Sequence, residues 1–162
     1  MNNIFYRIDD RLIHGQVVTG WSRHYNLEEI IIVDDETAND PVQKQVISMV
    51  APSDLNVSIN SINEGALKIN EAAKKGTSTL VLVKGPESLV GLFEHNVNVN
   101  TVIVGGMQHK ADRKRVTKTV YTSDQEAKFF NELADRGSEL YYQVVPNDKQ
   151  QNFNKLLETV HL

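Results

Sequence analysis

Two runs decide the fold class: Ile30-Ile31-Ile32-Val33 and Leu80-Val81-Leu82-Val83 are apolar at every position. A strand with one face in water alternates apolar and polar residues, whereas a strand covered on both faces does not. Both runs therefore predict central strands of a parallel sheet that carries helices on its two faces.

Further strand-like apolar runs lie on either side, with starts roughly 20–26 residues apart in the first two thirds of the chain. Helix-length segments fill the gaps, which is the pattern of successive βαβ units. The sequence thus predicts one α/β domain over residues 1–162, a doubly wound and mostly parallel sheet with helices on both faces. The flanking strands are predicted at Ile4–Ile8, Leu55–Ile59, Thr101–Val104, Val116–Tyr121 and Leu140–Val145.

Capping residues indicate where the helices begin and end. Asp40-Pro41 combines an N-cap residue with proline at the first helical position, and Gly76 is typical of a C-cap. Ser123 with Glu126 three residues later predicts a capping box. The predicted helices are Gly15–Tyr25, Pro41–Val50, Ile62–Lys75, Pro86–His95, a helix from Ser123 to about Arg136, and Asp148–Val160.

Composition excludes several classes of function. The chain has 17 Lys and Arg against 21 Asp and Glu, a net charge of −4, so nucleic acid is not an expected partner. It has no cysteine, which excludes disulfides, thiolate nucleophiles and cysteine-ligated zinc. The N-terminal residues show no signal-peptide pattern, and no window approaches the ~18 consecutive apolar residues of a membrane span. We therefore expect the protein in the cytoplasm.

Chemistry is expected in the loop Asp9–Gly15, because the loops at the carboxyl ends of parallel strands form the binding edge of such sheets. His14 precedes a predicted helix, whose free N–H groups and positive dipole end favour an anion such as phosphate. Gly15 lets the backbone approach a ligand closely, and Arg11 can place a planar guanidinium on the same anion. Because neutral imidazole is a nucleophile near pH 7, the loop predicts a histidine that accepts a phosphoryl group.

A plainer interpretation fits the same loop. A histidine at the start of a helix is commonly a cap or a surface residue, and the charged residues of Arg7–Arg11 could form a solvated cluster of ion pairs. Residue spacing by itself leaves both interpretations open.

The run Arg7–Val17, followed by Trp21, resembles the IIB component of the mannose/fructose/sorbose family of the sugar phosphotransferase system. Eleven consecutive positions match the pattern of that family, which makes this first motif specific. The resemblance continues in the same order along nearly the whole chain, through Asp34–Pro41, Ala51-Pro52, Val104–Met107 and Gln143–Pro146.

The resemblance implies a phosphorelay carrier. It implies that His14 accepts a phosphoryl group from a IIA domain and passes it to a sugar that enters through the membrane components IIC and IID. Arg11 matches an arginine that stabilises the transferring group, and we assign Asp10 and Gly15 to the same stabilisation. The resemblance also implies a short antiparallel strand in the sheet and a cytoplasmic protein that associates with the membrane permease. Transfer between two histidines needs no metal, and the sequence lacks a clustered set of histidine or cysteine ligands, so we expect no metal or cofactor.

Several other residues allow two interpretations. Asp34-Asp35 at the end of the second strand could bind Mg²⁺ or, as we favour, have a polar role in the loop, for example by holding Arg7 or Arg11. The pair Gly105-Gly106 could allow close approach to a partner or form a simple turn. The basic segment 109–115 could be a solvated loop or could face an acidic partner. Surface or local structural roles are expected for four further histidines, His24, His95, His109 and His161.

Two alternative classes of function are less well supported. A receiver-like switch would use the acids Asp9-Asp10, but the third predicted strand ends in Asn60-Ser61 and lacks the aspartate that such a switch phosphorylates. A nucleotide-binding module would carry a glycine-rich phosphate loop, and the sequence contains neither of the two common forms.

Overall fold

The computed structural model describes residues 2–161. Within that range no helix is both long enough and apolar enough to cross a lipid bilayer. The strands are β1 (Ile4–Asp9), β2 (Glu29–Val33), β3 (Asn56–Asn60), β4 (Thr79–Val83), β5 (Thr101–Gly106), β6 (Lys114–Arg115), β7 (Tyr121–Thr122), β8 (Glu139–Tyr142) and β9 (Gln151–Asn152). The helices are α1 (Gly15–Tyr25), α2 (Asp35–Ala38), α3 (Pro41–Val50), α4 (Ile62–Lys75), α5 (Pro86–Glu94), α6 (Asp124–Asp135) and α7 (Phe153–Glu158).

One seven-stranded sheet, in the order β3-β2-β4-β1-β5-β8-β9, organises the described residues. The pairs from β3 to β8 are parallel, and β9 pairs with β8 in the antiparallel direction at the edge. All five residues of β4 are buried, as are four of the five in β2. The predicted fold class, including the covered central strands and the short antiparallel edge strand, is confirmed.

Helices cover both faces of the sheet. Val18 of α1 and Ile47 of α3 pack on one face, against alternate residues of the central strands such as Ile30 and Leu80. The helices α4, α5, α6 and α7 cover the opposite face, where Ile31 and Val81 belong to the larger core. Successive side chains of each central strand therefore alternate between the two cores. Both sets are buried, which explains why the sequence of the strand is apolar without interruption.

The two middle strands β1 and β5 lead to helices on opposite faces of the sheet. The chain leaves β1 for α1, whereas the chain that leaves β5 continues to α6 on the other face. The two outgoing loops meet at the carboxyl edge, where the Asp10 N–H donates to the Gly106 carbonyl at 3.1 Å. A reversal of this kind creates the crevice in which doubly wound sheets bind ligands.

The predicted strand Val116–Tyr121 is wrong, because this segment turns back on itself between the short strands β6 and β7. The N–H of Val116 donates to the carbonyl of Val120, and the Thr117 hydroxyl accepts from the N–H groups of Thr119 and Val120. These local hydrogen bonds replace the inter-strand bonds that a continuous strand would need.

The last predicted strand and helix are shorter than expected. Strand β8 ends at Tyr142 instead of Val145, and the final helix begins at Phe153 instead of Asp148. The intervening residues form a turn, in which the N–H of Asp148 donates to the carbonyl of Val145, and then β9. Asn152 caps the helix through its side chain, so the start signal lay later than the sequence indicated.

Gly65 allows α4 to lie directly on β2. A Cβ atom at position 65 would stand 2.7 Å from Cγ2 of Val33, closer than packed carbon atoms approach. Gly65→Ala should therefore lower the free energy of unfolding by about 1–3 kcal/mol through overpacking, despite the better helix propensity of alanine. Urea denaturation measures this loss. In a Val33→Ala background the same change should be neutral or stabilising, and equal effects in both backgrounds would contradict the steric explanation.

Candidate functional site

The carboxylate of Asp9 is the centre of the candidate site. It is the last residue of β1 and is fully buried. Arg11 binds this carboxylate through two hydrogen bonds of 3.1 Å. Its Nε donates to Oδ1 and its Nη2 donates to Oδ2. Oδ2 also lies 3.6 Å from Nη2 of Arg7 and 3.6 Å from Nε2 of His14. One buried acid thus sets the positions of both arginines and of the histidine.

Arg7 joins β1 to the segment that follows β8. Its side chain is 3% exposed, and its Nη1 and Nη2 donate to the carbonyls of Gln143 and Val144 at 3.0 Å. The guanidinium also lies 5.1 Å from the ring centre of Trp21, whose indole N–H donates to the same Val144 carbonyl. Burial lowers the pKa of Arg7 below its ordinary value, while the neighbouring Asp9 opposes that shift. The charge is therefore paired and fully enclosed rather than solvated.

The two glycines at the end of β5 leave room for these side chains. A Cβ atom at Gly105 would overlap the guanidinium of Arg7. A Cβ atom at Gly106 would stand 3.2 Å from Oδ1 of Asp9 and 3.3 Å from Nη2 of Arg11. The glycine pair thus permits the close approach of side chains from β1, a role that neither sequence interpretation of the pair included.

The loop between β1 and α1 exposes backbone donors. Leu12 and Gly15 adopt left-handed conformations, with φ of 58° and 49°. Leu12 closes a turn by donating to the Asp9 carbonyl at 2.9 Å, and His14 takes the N-cap position of α1. The N–H groups of residues 13–15 donate to no backbone carbonyl within residues 2–161. With the positive end of α1, they can hold an anion.

His14 and Arg11 are the accessible side chains of this loop. The imidazole is 30% exposed and the guanidinium 38% exposed, although both contact the fully buried Asp9. Nε2 of His14 is itself buried and, within the described residues, makes no hydrogen bond. The buried carboxylate of Asp9 thus contacts both the histidine and the arginine, while part of each side chain remains exposed to solvent.

Asp10 pairs with an arginine that is distant in the sequence. Its Oδ2 accepts from Nη1 of Arg113 at 3.0 Å and from the N–H of Gln108 at 2.9 Å. Arg113, 5% exposed, also holds Glu126 through two hydrogen bonds of 2.9 and 2.7 Å. Burial by itself would lower the pKa of Arg113, but the hydrogen bonds and charges of Glu126 and Asp10 hold it above its ordinary value.

The aspartates after β2 do not reach the site. Asp34 caps α2 by accepting from the N–H of Thr37 and lies 3.3 Å from Lys84, and Asp35 accepts from the N–H of Ile62. The interpretation that these acids hold Arg7 or Arg11 is therefore wrong, because Asp9 holds both. Across residues 2–161, no group of three or more acidic or histidine side chains is arranged to bind a metal ion.

The basic segment 109–115 is only partly a solvated loop, because Arg113 is a member with a buried side chain, 5% exposed. The other histidines have local contacts, as predicted where the structure describes them. His161 lies 2.6 Å from the Thr122 hydroxyl and 3.0 Å from Asp124, and Nδ1 of His95 lies 2.8 Å from the carbonyl of Gly91.

Fold and site together define a class of protein. It is a doubly wound α/β protein that carries an accessible histidine at a helix N-terminus, beside an arginine fixed by a buried carboxylate. The pattern of the family described as PTS system sorbose subfamily IIB component matches residues 3–162. The chain belongs to this family of phosphotransferase-system IIB components, as its resemblance to the mannose/fructose/sorbose group implied.

Individual relatives match along nearly the whole of this chain, and a solved structure among them has the same fold. The fructose-specific EIIB component of Bacillus subtilis is 36% identical over 160 residues, covering 99% of this chain and 98% of that protein. The crystal structure of the IIBSor domain of the sorbose permease from Klebsiella pneumoniae has 30% identity and a TM-score of 0.90, over 97% of both chains. The mannose-specific EIIAB component of Escherichia coli is 32% identical, covering 95% of this chain and 48% of that protein.

Gly105→Ala should destabilise the fold through Arg7. The methyl group would displace the guanidinium from its two carbonyl acceptors, and we expect a loss of about 1–3 kcal/mol in the free energy of unfolding. Thermal or urea unfolding measures it. Gly20→Ala is the matched control, because its Cβ would meet only Pro146 at an ordinary 3.8 Å and should not destabilise. Equal stability of the two variants would contradict this account of Gly105.

Proposed function

We propose that this chain accepts a phosphoryl group on His14 from a phosphorylated IIA domain and transfers it to a sugar that enters through the IIC and IID membrane components. The observation that carries the proposal is the accessible His14, which shares the buried Asp9 with Arg11 at the N-terminus of α1. Membership of the IIB family supports it, as does the name EIIAB of the Escherichia coli relative, which joins an A and a B component.

The imidazole presents one nitrogen for the reaction. Nε2 is buried and lies 3.6 Å from Oδ2 of Asp9, so a proton on Nε2 faces the carboxylate. The lone pair then resides on Nδ1, which we assign as the nucleophile. When Nδ1 carries the phosphoryl group, the Nε2 proton can donate to Asp9, which stabilises the positive charge that develops on the ring.

Arg11 and the start of α1 would stabilise the phosphoryl oxygens. Asp9 binds Nε and Nη2 of Arg11, which leaves Nη1 to donate to the phosphoryl group. The free N–H groups around Gly15 supply further donors. The prediction that Asp10 stabilises the phosphoryl group stays a prediction, and its pairing with Arg113 favours an indirect action through the loop.

The transfer needs few chemical steps. The lone pair of Nδ1 attacks phosphorus in line while the bond between phosphorus and the donor histidine breaks, and the donor imidazole leaves with that electron pair. In the second transfer a sugar hydroxyl attacks phosphorus and releases its proton to water. The bond between phosphorus and Nδ1 breaks, and its electron pair returns to Nδ1, which leaves His14 neutral with its proton on Nε2. Positioning and charge stabilisation supply most of this catalysis, so we propose no cofactor. We also propose that the reaction takes place in the cytoplasm beside the permease.

Replacement of His14 tests the phosphoryl acceptor. His14→Ala should abolish phosphorylation and leave the fold intact, because the side chain lies on a loop and is 30% exposed. Intact mass after incubation with a phosphorylated IIA domain measures the gain of one acid-labile phosphoryl group in the natural protein. His95→Ala, which removes an exposed histidine from the end of α5, is the control and should remain competent. Full phosphorylation of the His14 variant would refute the assignment.

Replacement of Arg11 tests the stabilisation of the phosphoryl group. Arg11→Ala should slow the transfer by about 100-fold to 1,000-fold, the usual effect of removing one donor to a developing charge. Rapid-quench measurements of phosphoryl transfer give the rate. Arg23→Ala removes an exposed arginine from α1 and should transfer at the normal rate. An unchanged rate in the Arg11 variant would remove this residue from the mechanism.

A further inference from the structure

Arg113 connects three segments at the carboxyl edge of the sheet. Its Nη1 donates to Asp10 in the loop after β1 and, at 2.7 Å, to the carbonyl of Gln108 in the loop after β5. Its Nε and Nη2 donate hydrogen bonds to the carboxylate of Glu126 in the first turn of α6. Glu126 is fixed in turn by the N–H and hydroxyl of Ser123, with which it forms the capping box. The guanidinium therefore has a rigid anchor on the side opposite Asp10.

The carboxylate that Arg113 binds lies within the loop of the candidate site. Asp10 stands between Asp9 and Arg11, and its side chain is 10% exposed. Without Arg113, this carboxylate would keep only the N–H of Gln108 as a partner. It could then reorient within the loop and compete with a phosphoryl group for the free N–H of Arg11. Its negative charge would also repel the phosphoryl dianion. Asp9 cannot have this effect to the same degree, because Arg7 and Arg11 both neutralise it.

We infer that Arg113 is a positioning residue, which sequesters the Asp10 carboxylate so that Arg11 and the N-terminus of α1 remain free to receive a phosphoryl group. The inference rests on the proposed function of His14. It gives the buried member of the segment 109–115 a specific task, which differs from general attraction of an acidic partner. It also explains how two consecutive acids can lie beside a site for an anion.

The test depends on rescue by a second substitution. Arg113→Gln removes the charge and keeps a hydrogen-bond donor near the carbonyl of Gln108. We expect it to lower kcat of phosphoryl transfer about tenfold, with little change in KM for the phosphorylated IIA domain. Adding Asp10→Asn removes the released charge and should restore most of kcat, although it restores none of the lost contacts. Arg115→Met removes an exposed positive charge nearby and should leave kcat unchanged.

A measurement without a donor separates this inference from the proposed function. Inorganic phosphate is titrated into each variant, and binding is followed by the NMR shift of the Gly15 amide. We expect the affinity to fall about tenfold in Arg113→Gln and to recover in the double variant. Failure of the natural protein to accept a phosphoryl group would refute the proposed function, and the phosphate titration would still judge the role of Arg113.

Several outcomes would overturn the inference. These are normal kcat and phosphate affinity in Arg113→Gln, a double variant as impaired as the single one, an equal loss in Arg115→Met, or no phosphate binding by the natural protein. If Arg113→Gln does not fold, Arg113→Lys replaces it. Lysine keeps the positive charge beside Asp10 but cannot also donate two hydrogen bonds to Glu126. The free energy of unfolding should therefore fall while kcat stays near normal. A tenfold loss of kcat in the lysine variant would refute charge sequestration.

Discussion

The structure depends on one buried charge, the guanidinium of Arg7. It is enclosed by the carboxylate of Asp9, by two carbonyls beyond β8 and by the ring of Trp21. Removing one partner of a buried ion pair costs about 3–5 kcal/mol, so Arg7 and Asp9 hold each other in place. Since Asp9 then orients Arg11 and His14, an interaction inside the protein determines the geometry of the loop on its surface. The same guanidinium joins β1 to the segment after β8.

The sheet could be predicted from sequence because its central strands are covered on both faces. A short run of β-branched apolar residues between helix-length segments, as at Ile30–Val33, is typical of a buried parallel strand. The helices were recognisable where capping is local, as at Asp40 and Ser123. The segments that differed, β6–β7 and the approach to α7, are governed by side-chain hydrogen bonds of Thr117 and Asn152. Such bonds involve polar residues that leave no periodic pattern.

The candidate site, like the fold, could be predicted only in part from the sequence. The motif from Asp9 to Gly15 indicated His14 and Arg11 because loop, glycine and helix start are adjacent in the chain. The central position of Asp9 was hidden, since Asp9 and Asp10 are chemically identical neighbours that the sequence cannot rank. They differ only through their partners, because Asp9 faces Arg7 and Arg11 whereas Asp10 faces Arg113, 103 residues away. Contacts across that separation have no signature in a single sequence.

The glycine at the end of β5 also constrains how this protein can change over evolutionary time. Arg7 occupies the space that any side chain at position 105 would need. A lineage that first lost Arg7 could afterwards accept alanine at position 105, whereas the opposite order passes through an intermediate with a displaced buried charge. Substitutions at the two positions are thus ordered, and after the loss of Arg7 the carboxylate of Asp9 still has Arg11 as its partner. We therefore expect divergence at this edge of the sheet to begin at Arg7 and not at the glycine.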